Sequence, residues 1–401
     1  MTLTPVRASA VGVRRLTATL YGYAFLDDFV LLYPVYALLF SDTGLSVWQI
    51  SSLFALWSAT GVLLEVPSGA WADAVSRRLL LWLGPLLTAV GFALWVLIPS
   101  YWAFALGFVL WGARGALGSG ALEALVYEEL ERLGAAGRYA RVMGRARAAG
   151  LLAVMAATVL AGPVFAFGGH PAVGAASVLS CLVAAAVASR FPEHRAAPRD
   201  RAGNRAAGLR AAAGEVRRDR SLRGALLLVP AVGAVWGALD EYTPLLVRET
   251  GVPERAVPYL LLLIWAGATA GSLLAGVCAR LGRSGFAALP AGAALALAGG
   301  AAMRTPAGLG LVAVAFGGLQ LATVLADVRL QQRIDDTGRA TLTSVAGLGT
   351  ELATIAVYAG YAAVATRTTH GTAFAVFAAP YLVTAVLLAV TRTSQRDEAA
   401  P

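Results

Sequence analysis

The feature that most constrains this chain is a series of apolar runs, each about 20 residues long, separated by short polar segments. A run of that length carries an α-helix across the hydrocarbon core of a bilayer. In lipid a helix satisfies its own backbone, which an irregular segment does not. Twelve such runs are expected, over residues 17–41, 47–71, 79–98, 101–127, 142–167, 171–190, 222–247, 254–279, 285–303, 307–330, 340–365 and 371–391. Only 14% of the 401 residues are charged and 58% are hydrophobic, too little polar surface for a soluble protein of this size. The 44 glycines suit the same environment, because a missing side chain lets membrane helices approach closely.

The 32 basic residues are all arginine and the formal net charge is +9. A basic balance can signal nucleic acid, but these arginines sort by side of the membrane. With boundaries rounded to a few residues, 27 of the 32 fall before span 1 or after an even-numbered span. The opposite loops hold only Arg248, Arg255, Arg304 and Arg367, and Arg114 lies within a span. The positive-inside rule then predicts cytoplasmic termini and an even number of spans. The expected location is a bacterial inner membrane, with lipid as partner and nucleic acid excluded. Arg7, Arg14 and Arg15 precede a first run too long and too acidic for a cleaved signal, so that run is expected to stay as a membrane helix. Cys181 and Cys278 fall in predicted spans, and His170, His194 and His370 are scattered in loops. No disulfide framework, metal site or cofactor is expected.

Two halves are visible. Leu39-Phe40-Ser41-Asp42-Thr43-Gly44-Leu45 matches Leu246-Val247-Arg248-Glu249-Thr250-Gly251-Val252, and Gly69-Ala70-Trp71-Ala72 meets Gly276-Val277-Cys278-Ala279 at the same offset. Farther on, Gly137-Arg138-Tyr139-Ala140 meets Gly338-Arg339-Ala340-Thr341. The matches predict duplicated six-helix units related by an axis along the membrane normal. The predicted fold class is therefore an all-α membrane protein with twelve transmembrane helices in two six-helix bundles. Residues 1–190 form the N-terminal bundle and 222–401 the C-terminal one. Between them, residues 191–221 read as a polar cytoplasmic linker containing Pro192, Pro198, Gly203, Gly208 and Gly214, with an amphipathic surface helix near Leu209 to Leu222.

Between spans 2 and 3 stands Gly69-Ala70-Trp71-Ala72-Asp73-Ala74-Val75-Ser76-Arg77-Arg78. It resembles the Gly-x-x-x-Asp-x-x-Gly-Arg-Arg/Lys signature loop of the major facilitator superfamily, with Ser76 where the family prefers Gly. The resemblance implies that Asp73 and Arg77 lock the outward-facing state, Asp73 lying near the start of span 11. The alternative is that Arg77 and Arg78 serve only as cytoplasmic anchors. In span 4, Arg114-Gly115-Ala116-Leu117-Gly118-Ser119-Gly120 is similar to the Arg-x-x-Gln-Gly-x-Gly motif of proton-coupled members, with Leu117 in place of Gln. In span 5, Gly162-Pro163-Val164-Phe165-Ala166 resembles part of the antiporter motif, although a Gly-Pro pair also kinks an ordinary membrane helix. The C-terminal copy of the signature loop is degenerate, with Arg280 where Asp would stand, while Arg339-Ala340-Thr341 opening span 11 is again family-like.

Charges inside spans are costly and need a partner, a proton or water. Asp27 and Asp28 lie in span 1, and as helical neighbours they point about 100° apart. The family places spans 1, 4, 7 and 10 around a cavity, which brings an aspartate near Arg114. The expectation is that Asp27 or Asp28 carries a proton; the alternative is a fixed ion pair with Arg114. Glu351 in span 11 reads either as a second protonation site or as a buried hydrogen-bonded acid. Asp240 and Glu241 lie nearer the outer end of span 7, where solvation is expected over proton coupling, and Asp240 is kept among the substrate-facing candidates. Glu65, Glu123 and Asp327 approach cytoplasmic ends and read as partners for arginines. Tyr33, Tyr36, Trp111 and Trp236, with Tyr21, Phe25, Trp57 and Tyr242, offer rings to a lipophilic or cationic solute. The expected function is proton-coupled export of such a small molecule by a monomer. The alternatives are a proton symporter or facilitator importing a metabolite, or a non-transporting receptor of the same fold. No catalytic triad, nucleotide loop or metal cluster is seen, so enzymatic activity is not expected.

Overall fold

A computed structural model describes residues 4–74, 76–118, 120–194, 219–333 and 339–397. Among them the secondary structure is helical, with no strand. The N-terminal part contains α1 (Thr4–Asp28), α2 (Tyr36–Asp42), α3 (Val47–Ala74), α4 (Arg77–Leu97), α5 (Tyr101–Gly118), α6 (Ala121–Arg132) and α7 (Tyr139–Ala188). The C-terminal part contains α8 (Arg220–Asp240), α9 (Thr243–Glu249), α10 (Val257–Cys278), α11 (Arg283–Met303), α12 (Gly308–Gln331), α13 (Arg339–Ala365), α14 (His370–Val376) and α15 (Ala379–Asp397). Helix α7 is two predicted spans joined through non-helical Gly168 and Gly169.

By length and composition, nine stretches among the described residues are apolar enough to cross a membrane, one of them the doubled α7 region. Predicted spans 1 and 4 are absent from that set. They are the spans interrupted by Asp27–Asp28 and by Arg114. Both also depart from the continuous helices expected for 17–41 and 101–127. Span 1 is broken between α1 and α2, and span 4 ends at Gly118 and resumes after Gly120, which has φ of 72°. Span 7, expected unbroken over 222–247, is likewise divided between α8 and α9.

Proline explains two of these breaks. Pro34 and Pro244 lack an N–H and disfavour helix at the residue before them. In the second half the carbonyl that Pro244 cannot reach, that of Asp240, accepts instead from the Thr243 hydroxyl at 2.6 Å. The duplication seen in the sequence extends to this backbone. Thr43 and Thr250 close α2 and α9 with identical dihedrals, φ −75° and ψ −2°. Gly44 and Gly251 follow at φ 85° and 81°, a left-handed conformation that favours glycine after a helix end. It extends to side chains as well. Asp42 meets the His170 ring at 2.9 Å, where the second part of α7 begins. Its counterpart Glu249 accepts the backbone N–H groups of His370 at 2.7 Å and Gly371 at 2.8 Å, where α14 begins.

The chain packs as two units, Met1–Leu45 with Leu56–Arg199, and Ser46–Ala55 with Asp200–Pro401. In the first, α1 packs along α7, and α4 lies against α5 and α7. Its interior holds an aliphatic cluster that includes Leu16, Leu20, Leu81, Leu125 and Leu130. In the second, α12 packs between α10 and α11, and α8 packs on α12 and α13. Helices α10 and α12 touch at Gly271 and Gly317, where any side chain on Gly271 would overlap the Gly317 carbonyl. The first turns of α3 belong to this unit: Ser51 shares a 2.6 Å hydrogen bond with Tyr242, and Phe54 packs on Tyr242 and Tyr358. Outward faces are apolar, Phe167 being 92% exposed and Leu151, Leu152, Val383 and Leu387 exposed too. Such a surface suits lipid rather than water.

The proposed linker falls largely on residues 195–218, outside the described residues, as does most of the amphipathic helix expected near Leu209 to Leu222.

Candidate functional site

The site is built where the first span breaks. Helix α1 ends at Asp28, and the backbone runs through turns until α2 begins at Tyr36. A broken helix at membrane depth must place its freed N–H and C=O groups elsewhere. The second part of α7 supplies two serines for this. Ser180 donates to the Leu26 carbonyl at 2.8 Å, and the Leu32 N–H donates to Ser177 at 2.9 Å. Ser177 is itself buried and donates onward to the Val173 carbonyl at 2.8 Å. Neither serine was singled out from the sequence, since a lone Ser in an apolar run carries no periodic signal.

At this break Asp27 forms a charge-assisted hydrogen bond with Arg114 of α5. The two side chains retain 18% and 23% of their exposure. Gly84 on α4 lies against the Arg114 shaft, a methyl there being only 3.1 Å from Arg114 Cγ. Tyr23, one turn before Asp27, is buried beside it. Asp28 is exposed, and no hydrogen bond or ion pair of its carboxylate occurs among the described residues. The two neighbouring acids thus have opposite settings, one neutralised by a guanidinium and one free.

The aromatic candidates of this unit pack together. Trp111, one turn before Arg114, stacks on Trp57 with centroids 5.1 Å apart and meets Tyr33 edge-on at 5.7 Å. Tyr36 meets Trp111 at 6.2 Å and Phe40 at 5.6 Å. Tyr36 and Trp111 are buried in this cluster, whereas Tyr33 and Trp57 are half-buried at its margin.

In the second unit Asp240 ends α8 as Asp28 ends α1, and it accepts a 3.0 Å hydrogen bond from the Trp265 indole of α10. This replaces the expectation of simple solvation with a defined partner. Trp236, one turn earlier on α8, donates its indole N–H to Thr323 at 3.1 Å. Its backbone N–H donates to the Tyr381 hydroxyl at 2.7 Å. Gln320 on α12 donates to Ser272 at 2.8 Å, adding polar groups the sequence reading overlooked. Glu351 is exposed on α13, which does not fit a buried hydrogen-bonded acid.

The signature loop is held at its C-terminal end. Ser76 caps α4 by accepting from the Leu79 N–H at 3.1 Å, and its hydroxyl also donates to Glu193. The Arg77 N–H donates to the same carboxylate at 2.7 Å, and the Arg77 guanidinium pairs with Glu128 of α6 at 2.6 Å. Ser in place of the family's Gly therefore has a structural task here. Arg78 is exposed. Gly69 and Asp73 fall in the last turns of α3, outside the side chains described. Nearby, Glu129 accepts from Arg132 at 2.9 and 3.1 Å, and from the backbone and ring of His194 at 2.8 and 2.9 Å. Burial raises the Glu129 pKa, but the hydrogen bonds from His194 and Arg132 outweigh it and hold the carboxyl below its ordinary value. Gly162 and Pro163 lie within α7, Gly162 buried. Gly118 is the last residue of α5, so the Arg114 motif ends where the helix breaks. No group of three or more metal-binding side chains occurs among the described residues.

Broken apolar helices, internal duplication and paired charges at the break define a multi-pass membrane transporter. The chain belongs to the major facilitator superfamily, whose family profile matches residues 17–358. No curated protein matches it. Solved structures similar in fold include the nucleoside transporter NupG, at 13% identity and TM-score 0.76, covering 94% of this chain and 98% of that one. A bacterial homologue of the human lysosomal transporter Spinster is 16% identical at TM-score 0.65, covering 97% and 96%. A D-xylose–proton symporter is 16% identical at TM-score 0.61, covering 94% and 97%.

Proposed function

We propose that this chain is a proton-coupled antiporter that exports a lipophilic or cationic small molecule by alternating access. The observation that carries this reading is the break after Asp28, where Asp27 is paired with Arg114 and the Asp28 carboxylate has no ion-pair partner among the described residues. A carboxylate that exchanges a proton for a cation couples two fluxes through one group. Arg114 engages Asp27, which leaves the two neighbouring carboxylates in different settings. Trp236 and Asp240 at the end of α8 supply a ring and an acid for a cationic solute. Export is supported by the Gly162-Pro163 element and by the aromatic residues that stay half-buried, Tyr33, Trp57 and Trp236.

We also propose the setting expected from the arginine distribution: a monomer in a bacterial inner membrane, with both termini cytoplasmic. Inverted membrane vesicles test the direction. With an imposed proton gradient, acid inside, labelled lipophilic cations are expected to accumulate in vesicles carrying this protein. Accumulation driven only by the opposite gradient would replace export with symport.

A further inference from the structure

Asp28 leans on α7 at a single glycine. A methyl group at position 150 would overlap the Asp28 Oδ2 atom and stand 3.3 Å from its Cγ and 3.6 Å from the Ala24 carbonyl. Gly150 is buried within the first part of α7. Glycine inside a helix is a weaker choice than alanine, because its backbone loses more freedom on folding. The atoms crowding this position are chiefly those of a carboxylate, the mobile end of a short side chain, rather than a helix backbone. Adding a methyl therefore moves the carboxylate and leaves the helices in place.

The charged groups whose fields reach Asp28 are Asp27 on its own helix and Arg114 on α5. On α7, Cys181 faces the same pair, and Tyr23 on α1 faces all three. Asp27 is engaged by Arg114, so of the two acids only Asp28 has a carboxylate without an ion-pair partner among the described residues.

We propose that Asp28 is the proton-carrying carboxylate, that Asp27 serves Arg114, and that Gly150 is the positioning residue that lets Asp28 rest against α7. This rests on the coupling reading above for the word proton-carrying; the positioning by Gly150 stands on geometry alone. Gly150 lies outside the Gly-Pro element, twelve residues before Gly162.

The test uses the full chain in detergent and in proteoliposomes, with Gly150→Ala, Asp28→Asn, Asp27→Asn and the double variant Gly150→Ala/Asp28→Asn. Dicyclohexylcarbodiimide reacts with protonated carboxyl groups, and peptide mass spectrometry reads the labelled residue at each pH. The expected result is labelling at Asp28 whose pH midpoint shifts by roughly half a unit or more in Gly150→Ala. Thermal stability should change little, and the pH profile of proton flux should shift with the labelling. In the Asp28→Asn background no labelling at position 28 is expected, and adding Gly150→Ala should leave thermal stability unchanged. A Gly150→Ala protein that loses thermal stability while its labelling curve stays fixed would show a packing glycine and overturn the positioning role. Labelling at Asp27 instead of Asp28 would reverse the assignment of the two acids. A normal labelling curve without any proton flux in the unaltered protein would remove the coupling reading and leave the positioning result intact.

Discussion

Replacing Asp27 by Asn leaves Arg114 as a cation that cannot shed its charge. Replacing Arg114 by Met leaves Asp27 as an anion that can, by taking up a proton. The two halves of one ion pair are therefore unequal, and the inequality depends on pH. Removing one partner of a fully buried pair costs about 3–5 kcal/mol. Here the side chains keep 18% and 23% exposure, so some solvent screening remains. That sets the cost of Asp27→Asn at about 2–4 kcal/mol across the whole pH range. Arg114→Met should cost a comparable amount at neutral pH and less in acid, because a carboxylate stripped of its partner can be neutralised by a proton whereas a guanidinium cannot. The double variant, with neither charge, should return to within about 1 kcal/mol of the parent. A maleimide dye that reacts with cysteine on unfolding suits the measurement, since Cys181 is buried near the pair. Cys278→Ser would leave Cys181 as the sole reporter. Equal, pH-independent losses in both single variants, with no recovery in the double, would refute this reasoning.

Three further outcomes follow from other contacts. The lowered pKa of Glu129 contributes stability that is present above the ordinary carboxylate value of 4.5 and lost as pH falls through the folded value. Unfolding measured between about pH 3 and 5 should show an acid limb that Glu129→Gln flattens, at a cost of about 1–3 kcal/mol at neutral pH. Ser177→Ala strands the Leu32 N–H at the helix break and should cost about 1–3 kcal/mol in the same thermal assay. Ser76→Ala removes a helix cap and the hydroxyl bonded to Glu193, and should cost about 1 kcal/mol, whereas a Ser76→Asp cap should restore the capping but repel Glu193.

The all-helical, multi-pass architecture is legible in the sequence, because a lipid solvent requires long apolar helices. The breaks were not legible from hydropathy. Residues 29–35 are as apolar as a helix would be, and the only local signals against helix there and in span 7 are Pro34 and Pro244. The serines that repair the first break lie about 145 to 154 positions away in sequence, as does any contact between helices that sequence spacing does not encode. The cost of lone charges in lipid pointed to Asp27, Asp28 and Arg114, but their division into a pair and a free acid depends on side-chain direction at the end of α1. Tyr36 and Trp111 were read as solute-facing from their spans alone. Their burial against Phe40, Phe92 and Trp57 shows that an aromatic residue on a span assigned to a cavity can still belong to the core. Ser76 read as a mild departure from the family loop, and its partner Glu193 lay beyond span 6, where no motif drew attention to it.

The most direct test of the coupling account is proton movement across proteoliposomes holding a trapped pH dye, as lipophilic cations and neutral drugs are added to the unaltered protein and to Asp28→Asn. The account predicts substrate-triggered proton flux that disappears in Asp28→Asn while the protein still binds the substrate. Flux that persists in Asp28→Asn, or binding with no proton movement in the unaltered protein, would contradict it.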